Sequence, residues 1–339
     1  MSQGWMLILC ALIIELSARQ EGQPLWERLT PEKLAERVVW LELGAPLPPA
    51  ESAVLPSPSP SPIPTPPPTE EPAVAEPTPE PTPTPAPKPP ADFSGELYTR
   101  RTELEPDIAA LLAEPLCQQL SSEGPQILIY HTHGSEAYTP GEGWEYTPTD
   151  EYRSTDSSRN MMAVGEELKS VLEERGFSVL HDTTLCDYPS YTGAYSRSEL
   201  IVQRYLLEYP TLTILLDVHR DAIGEGGSAI RTEWLRDGDI AAQVMLLCGT
   251  GEIGLEHPLW RENFKLALWL QGNMNARSPG LARPIELVAE RYNQHYTTGS
   301  LLLEVGSTGN TLPEALEAVR AFGESMADTL EELTVSSEP

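Results

Sequence analysis

Three stretches of the sequence close apolar runs with residues that can bind metal or move protons: Tyr130-His131-Thr132-His133-Gly134-Ser135-Glu136, Asp217-Val218-His219-Arg220-Asp221 and Glu304-Val305-Gly306. Neutral imidazole and carboxylate are suitable Zn²⁺ ligands. A catalytic zinc site typically uses three protein ligands and keeps a fourth position for a water whose pKa falls to about 7. His133, Glu136 and His219 fit that set, since one loop after a strand can present His133 and Glu136 together while His219 arrives from another strand. His131 is the rival first ligand, because strand alternation would send its side chain to the same face as that of His133. Glu304 interrupts an apolar run, where an unpaired carboxylate is costly to bury. It suits a general base that takes a proton from water and delivers it to a leaving amine. Gly306, two residues on, would let a substrate approach the backbone closely.

These residues do chemistry together only if the fold brings them to one place. Short apolar runs at Ile127–Tyr130, Phe177–Leu180, Ile214–Val218 and Leu301–Val305 alternate with amphipathic stretches. That pattern predicts an α/β fold with a mixed, mainly parallel sheet flanked by helices on both faces. In such a sheet the C-terminal ends of the strands line up along one edge, so residues far apart in sequence converge there. Met161, Val164, Leu168 and Val171 predict one helix after a cap at Asp156 or Ser157. Thr311-Leu312-Pro313-Glu314 reads as a capping box that opens a second helix, with Leu312, Leu316, Val319, Met326, Leu330 and Leu333 on its apolar face. Arg231 to Cys248 is expected to form a hairpin turning at Arg236-Asp237-Gly238-Asp239.

Composition narrows the remaining choices. Of 34 prolines in 339 residues, 20 lie between Pro46 and Pro90, where no packed core can form. Four segments follow from this: an apolar, signal- or anchor-like stretch over 1–20, a short amphipathic helix over 21–45, a proline-rich polyproline II linker over 46–92, and a catalytic domain over 93–339. The apolar run Trp5–Ile14 is too short to span a membrane alone, where about 20 residues are needed, and it suits an export signal or weak anchor. An extracytoplasmic location is therefore expected. With 22 Lys+Arg against 51 Asp+Glu, the chain lacks the basic surface that nucleic-acid binding requires. Cys10, Cys117, Cys186 and Cys248 have no CxxC spacing, which excludes a zinc ribbon, and Cys248 reads as a small buried hydrophobe.

The strings ILIYHTHGSEAYTP, LLDVHRDA, RYNQ and LLLEVGSTGNTLPEAL, with VGEEL and HDTTLCDYPSYTGAYSRS between them, resemble the stage II sporulation protein P family. Its members are peptidoglycan hydrolases related to zinc-dependent N-acetylmuramoyl-L-alanine amidases. The resemblance runs from about Gln126 to the C-terminus. It implies a zinc amidase fold, a Zn²⁺ at His133, Glu136 and His219, and Glu304 and Arg220 as catalytic groups. It also implies substrate contacts at His131, Asp221 and Asn310. Asp156 and Glu151 are alternative carboxylate ligands, because in the related amidases the glutamate comes somewhat later. The implied substrate is peptidoglycan, cut at the amide between the lactyl group of N-acetylmuramic acid and L-alanine, with stem-peptide bonds as a second target. The implied setting is septal peptidoglycan during sporulation engulfment, alongside stage II sporulation proteins D and M.

Two other readings use the same residues. A zinc carboxypeptidase acting on wall peptides would need a cation for the substrate's terminal carboxylate, with Arg220 as the nearby candidate. A wall-binding module would keep the fold without metal or activity.

Overall fold

A computed structural model of the chain describes residues 92–224 and 229–333. The expected export segment, the short helix and nearly all of the linker lie outside the described residues. The chain divides into two units, 1–86 and 87–339, and the second carries every candidate residue. No helix among the described residues is long and apolar enough to cross a membrane.

Nine strands and five helices are described. In chain order they are β1 (Tyr98–Arg101), α1 (Ile108–Ala113), β2 (Ile127–Tyr130), α2 (Met161–Glu174), β3 (Val179–His181), α3 (Ala194–Glu208), β4 (Ile214–Asp221) and β5 (Trp234–Arg236). There follow β6 (Asp239–Ala241), β7 (Val244–Gly249), α4 (Trp260–Arg277), β8 (Ile285–Val288), β9 (Gly299–Ser307) and α5 (Leu312–Glu331). Seven strands form one sheet in the order β1-β8-β7-β9-β4-β2-β3. All neighbours in it are parallel except β7 and β9, so the sheet is two parallel blocks joined at one antiparallel seam. The mixed, mainly parallel α/β architecture read from the sequence is the one observed.

Alternation along the central strands divides the two faces. Ile127, Ile129, Ile214, Leu216, Val218, Leu301, Leu303 and Val305 belong to the large core that α2, α4 and α5 cover. Leu128, Tyr130 and Leu215 point the other way, against Val202 of α3. Asp217 and His219 share the parity of Leu215, and Leu302 and Glu304 are their register partners on β9. Polar candidates thus leave the face that α3 covers only at one end, which opens a site on the sheet surface near the strand ends.

Several local expectations are corrected. The cap of α2 is Asn160, whose side chain accepts from Met162 N, and not Asp156 or Ser157. Asp156 is exposed and accepts instead from Ser158 N and Oγ, closing a turn before the helix. The capping box of Thr311 and Glu314 is present, with proline in the first turn. The hairpin forms at Asp237-Gly238, but as a separate two-stranded ribbon of β5 and β6, while Val244 to Cys248 leave it to enter the main sheet as β7. Gly306 serves the backbone rather than a substrate. Between the pairs His219/Glu304 and Asp221/Ser307, β9 carries one more residue than β4. The bulge is taken up at Gly306, which is buried with φ +65°, and a Cβ there would meet Ala242 Cβ at 3.0 Å.

Candidate metal centre

The site is built from two strands and one loop. β2 ends at Tyr130, and the chain then turns, held by Asp217: its Oδ1 accepts from Thr132 N at 2.8 Å and its Oδ2 from Thr132 Oγ1 at 2.6 Å. This turn separates the two loop histidines. His131 keeps the parity of Ile129 and stays on the α2 side, where Nδ1 donates to Val218 O at 2.8 Å and Nε2 lies 2.9 Å from His181 Nε2. His133 lies beyond the turn, next to His219, with ring centroids 5.2 Å apart. The expectation that both histidines share a face fails because strand alternation stops at Tyr130.

His133, Glu136 and His219 each offer a ligand atom, and these atoms lie within 4.8 Å of one another. All three residues are buried. His133 Nδ1 is buried with no hydrogen-bond partner. Burial, opposed in part by Glu136, lowers the His133 pKa to about 4, so the ring is the neutral form a metal accepts. Burial alone would raise Glu136, yet the charge of Arg220, followed by His133, His219 and Arg153, holds it below the usual carboxylate range. Its Oε2 accepts from Arg220 N at 3.1 Å, and its Oε1 lies 3.4 Å from Arg153 Nη2. For His219, burial opposes charge but the carboxylates of Asp217, Glu136 and Glu304 outweigh it and hold the ring at about 10. A field that retains a proton so firmly also favours a divalent cation in the same place. Two imidazoles, one ionised carboxylate and an unpartnered buried nitrogen therefore fit a zinc ion.

Asp217 stands in one of the three stretches that the sequence marks for chemistry, but its spacing alone gives it no role. Its side chain is fully buried, and Oδ1 lies 2.8 Å from His219 Nε2, while His219 Nδ1 faces Glu136 Oε2 at 3.8 Å. Its spacing from His219 on a strand was the available signal. Glu304 sits beside His219 across the β4–β9 ladder, and its Oε2 is buried without a partner. Burial first, then repulsion from Glu136 and Asp221, lift its pKa to about 8 against the pull of His219 and Arg220.

The remaining candidates are placed as follows. Arg220 is buried and donates from Nη1 to Asp221 O at 3.2 Å and from Nη2 to Tyr152 O at 3.3 Å. Asp221 pairs with Arg283 at 2.8 Å. Glu151 and Asp156 are exposed and lie outside the three-residue cluster. Two expected substrate contacts are corrected. His131 is 1% exposed and spends both ring nitrogens on Val218 and His181. Asn310 is fully buried; its Oδ1 accepts from Thr232 N and Ser307 N, and its Nδ2 donates to Thr232 O and Glu314 Oε2. It ties the β9–α5 turn to the segment before β5. The RYNQ stretch is likewise a brace, with Gln294 donating to Leu247 O and accepting from Gly249 N.

Aromatic residues the sequence reading did not place surround the cluster. Tyr191 approaches His133 with centroids 4.5 Å apart, and Tyr195 with 5.5 Å. Both come from the long stretch between β3 and α3 and the first turn of α3, where the sequence carries no periodic signal.

The sequence matches the stage II sporulation protein P family over residues 69–327. It is 27% identical over 251 residues to the stage II sporulation protein P of Bacillus subtilis (strain 168), covering 66% of this chain and 59% of that protein. Among solved structures it is similar to an N-acetylmuramoyl-L-alanine amidase from Clostridium difficile 630, with 12% identity, a TM-score of 0.38, and coverage of 62% of this chain and 96% of that one. It is also similar to the N-acetylmuramoyl-L-alanine amidase AmiC2 of Nostoc punctiforme, with 10% identity, a TM-score of 0.37, and coverage of 61% and 97%. Those overlaps are too low to bear on the chemistry, but the sequence match extends over most of the length, the site loops included, and the chain belongs to the stage II sporulation protein P family.

Proposed function

We propose that the domain is an extracytoplasmic zinc-dependent peptidoglycan hydrolase that cleaves the amide between the lactyl group of N-acetylmuramic acid and L-alanine. The observation that carries this reading is the meeting of His133, Glu136 and His219 within 4.8 Å, with the unpartnered carboxylate of Glu304 on the neighbouring strand. A Zn²⁺ held by His133, Glu136 and His219 would supply Lewis acidity and bring a water's pKa to about 7.

The protein's own groups divide the remaining work. Glu304 in its ionised form takes a proton from water, and the burial that raises its pKa helps it hold that proton until it is returned to the leaving amine. Asp217 places a buried negative charge 2.8 Å from His219 Nε2, while Nδ1 faces Glu136, and so favours a cation at the ring. Arg220 acts by position: its backbone N–H and its charge hold Glu136 ionised. A carboxypeptidase needs a cation for a terminal carboxylate, and the arginines here are engaged elsewhere. Arg220 donates to two carbonyls, and Arg153 pairs with Asp187 and Glu136. That commitment favours the amidase reading. The setting in septal peptidoglycan during engulfment, with stage II sporulation proteins D and M as partners, is supported by family membership.

The test is digestion of purified sacculi with the full chain and mass analysis of the products. Release of stem peptides beginning with a free L-alanine amine, abolished by chelation, is the expected result. Shortened stem peptides still attached to the glycan would favour the carboxypeptidase, and no release with no zinc bound would favour the wall-binding module.

A further inference from the structure

The rings around the candidate metal centre form a row to which hydrolysis alone assigns no task. Tyr191 meets His133 edge-on at an interplanar angle of 65°, His133 is next to Tyr195, and Tyr195 lies 5.5 Å from Tyr292. The row begins in solvent, since Tyr191 is 59% exposed. Exposed as it is, the ring is not loose. The Arg153 guanidinium lies 5.0 Å from its centroid, and Arg153 is paired with the buried carboxylate of Asp187. Asp187 in turn accepts from Ser135 N and Oγ, next to Glu136. A large aromatic surface is thus fixed to the metal loop and left open to water.

The other end of the row is held at a cost. Tyr292 and Asn293 both take left-handed backbone, with φ 49° and 58°, a conformation that Asn adopts readily but Tyr rarely does. Asn293 Nδ2 donates to Tyr195 O at 2.8 Å and ties this turn to α3. The turn carries Tyr292 beside Tyr195, packed on the sheet face of Leu247 and Leu302.

We propose that Tyr191 is a glycan platform beside the metal centre, on which a pyranose ring of a peptidoglycan strand stacks and brings the sugar-linked amide to Glu304, while Tyr292 backs the row from the sheet side. The C–H face of a sugar is weakly positive and the face of a phenol ring is negative, so stacking needs no formal charge. That matters for a chain of net charge -29, which gains no long-range attraction to an anionic wall polymer. The proposal takes its substrate from the hydrolase reading.

The experiment has a binding arm and a cleavage arm, both with the full chain. In the first, binding to peptide-free glycan strands of alternating N-acetylglucosamine and N-acetylmuramic acid is measured by calorimetry. Tyr191→Ala should weaken binding about tenfold, while Tyr191→Phe and Tyr191→Trp stay within about twofold of the parent, and zinc content is unchanged throughout. In the second arm, Tyr191→Ala should raise KM on sacculi about tenfold and change kcat less than threefold. Binding by Tyr191→Ala equal to that of the parent, or no strand binding by the parent itself, would overturn the proposal. So would a Tyr191→Phe protein as weak as Tyr191→Ala, which would assign the effect to the hydroxyl, or zinc loss in Tyr191→Ala, which would assign it to His133. The arms fail separately: strand binding that depends on the Tyr191 ring without amide cleavage refutes the hydrolase and keeps the platform, and cleavage indifferent to that ring does the reverse.

Discussion

Asp217 Oδ1 lies 2.8 Å from His219 Nε2, and both side chains leave the same face of β4. A fully buried carboxylate at that distance favours positive charge at the candidate ligand. Asp217→Asn should therefore lower zinc affinity roughly 10- to 100-fold, read by competition with a chelating dye. Thr132 N can still donate to the amide oxygen, so circular dichroism should stay native. Unchanged zinc affinity would reduce Asp217 to a brace for the Thr132 turn.

The three-residue cluster predicts about one zinc per chain by elemental analysis. His133→Ala and His219→Ala should each lose it. Glu136→Gln should lose it too, whereas Asp156→Asn should not, since Asp156 is exposed and outside the cluster. Zinc retained by both histidine variants would sink the assignment.

Glu304→Gln keeps the size of the side chain and removes its basicity. Zinc content and melting curve should match the parent while turnover on sacculi falls by roughly 10² or more. Near-normal stem-peptide release would leave Glu304 without a catalytic part.

Gly165 on α2 lies against the two histidines of the other face. A Cβ there would stand 2.5 Å from His181 Nε2 and 2.6 Å from His131 Nε2. Gly165→Ala should cost roughly 1–3 kcal/mol in urea unfolding, as overpacking does, despite the better helix propensity of alanine. Combining it with His181→Ala should restore part of the loss. A single Gly165→Ala variant as stable as the parent would show that the histidine pair yields easily.

His257 gives a pH signature distant from the metal residues. Both its ring nitrogens are buried without partners, and burial, followed by the charges of His295 and Arg291, lowers its pKa to about 4. A histidine with a folded pKa below its unfolded value favours the neutral fold. Its stabilising influence is complete above about pH 6.5 and is lost as pH falls toward 4, because the unfolded chain takes up the proton first. His257→Asn should therefore flatten the decline of unfolding free energy between pH 7 and pH 5, by an amount on the order of 1 kcal/mol. Parallel pH curves for parent and variant would contradict it.

The strands carrying the chemistry were legible because parallel strands buried on both faces read as continuous apolar runs, as in Ile127–Tyr130 and Leu301–Val305. His219 and Glu304 stood out for the same reason, each being polar inside such a run. His131 was misplaced because a period of two holds only while the strand lasts, and β2 stops one residue earlier. Asn310 was misread since its position in a turn after a strand is shared by ligand contacts and turn braces, and only its hydrogen-bond partners separate the two. Tyr191 and Tyr195 had no local signal, as their approach to His133 depends on the Asp187 latch to Ser135 across 52 positions of sequence.

The antiparallel seam bears on which strand edges the fold hides. β9, the last strand, is the central one, with β4 on one side and β7 on the other. Without Gly299–Ser307, the block of β2, β3 and β4 and the block of β1, β7 and β8 would each be left with an unpaired inner edge. Such edges template pairing between chains. The pairing of β9 with both blocks, backed by α5, is thus what hides two inner edges that would otherwise be open to strand exchange between chains.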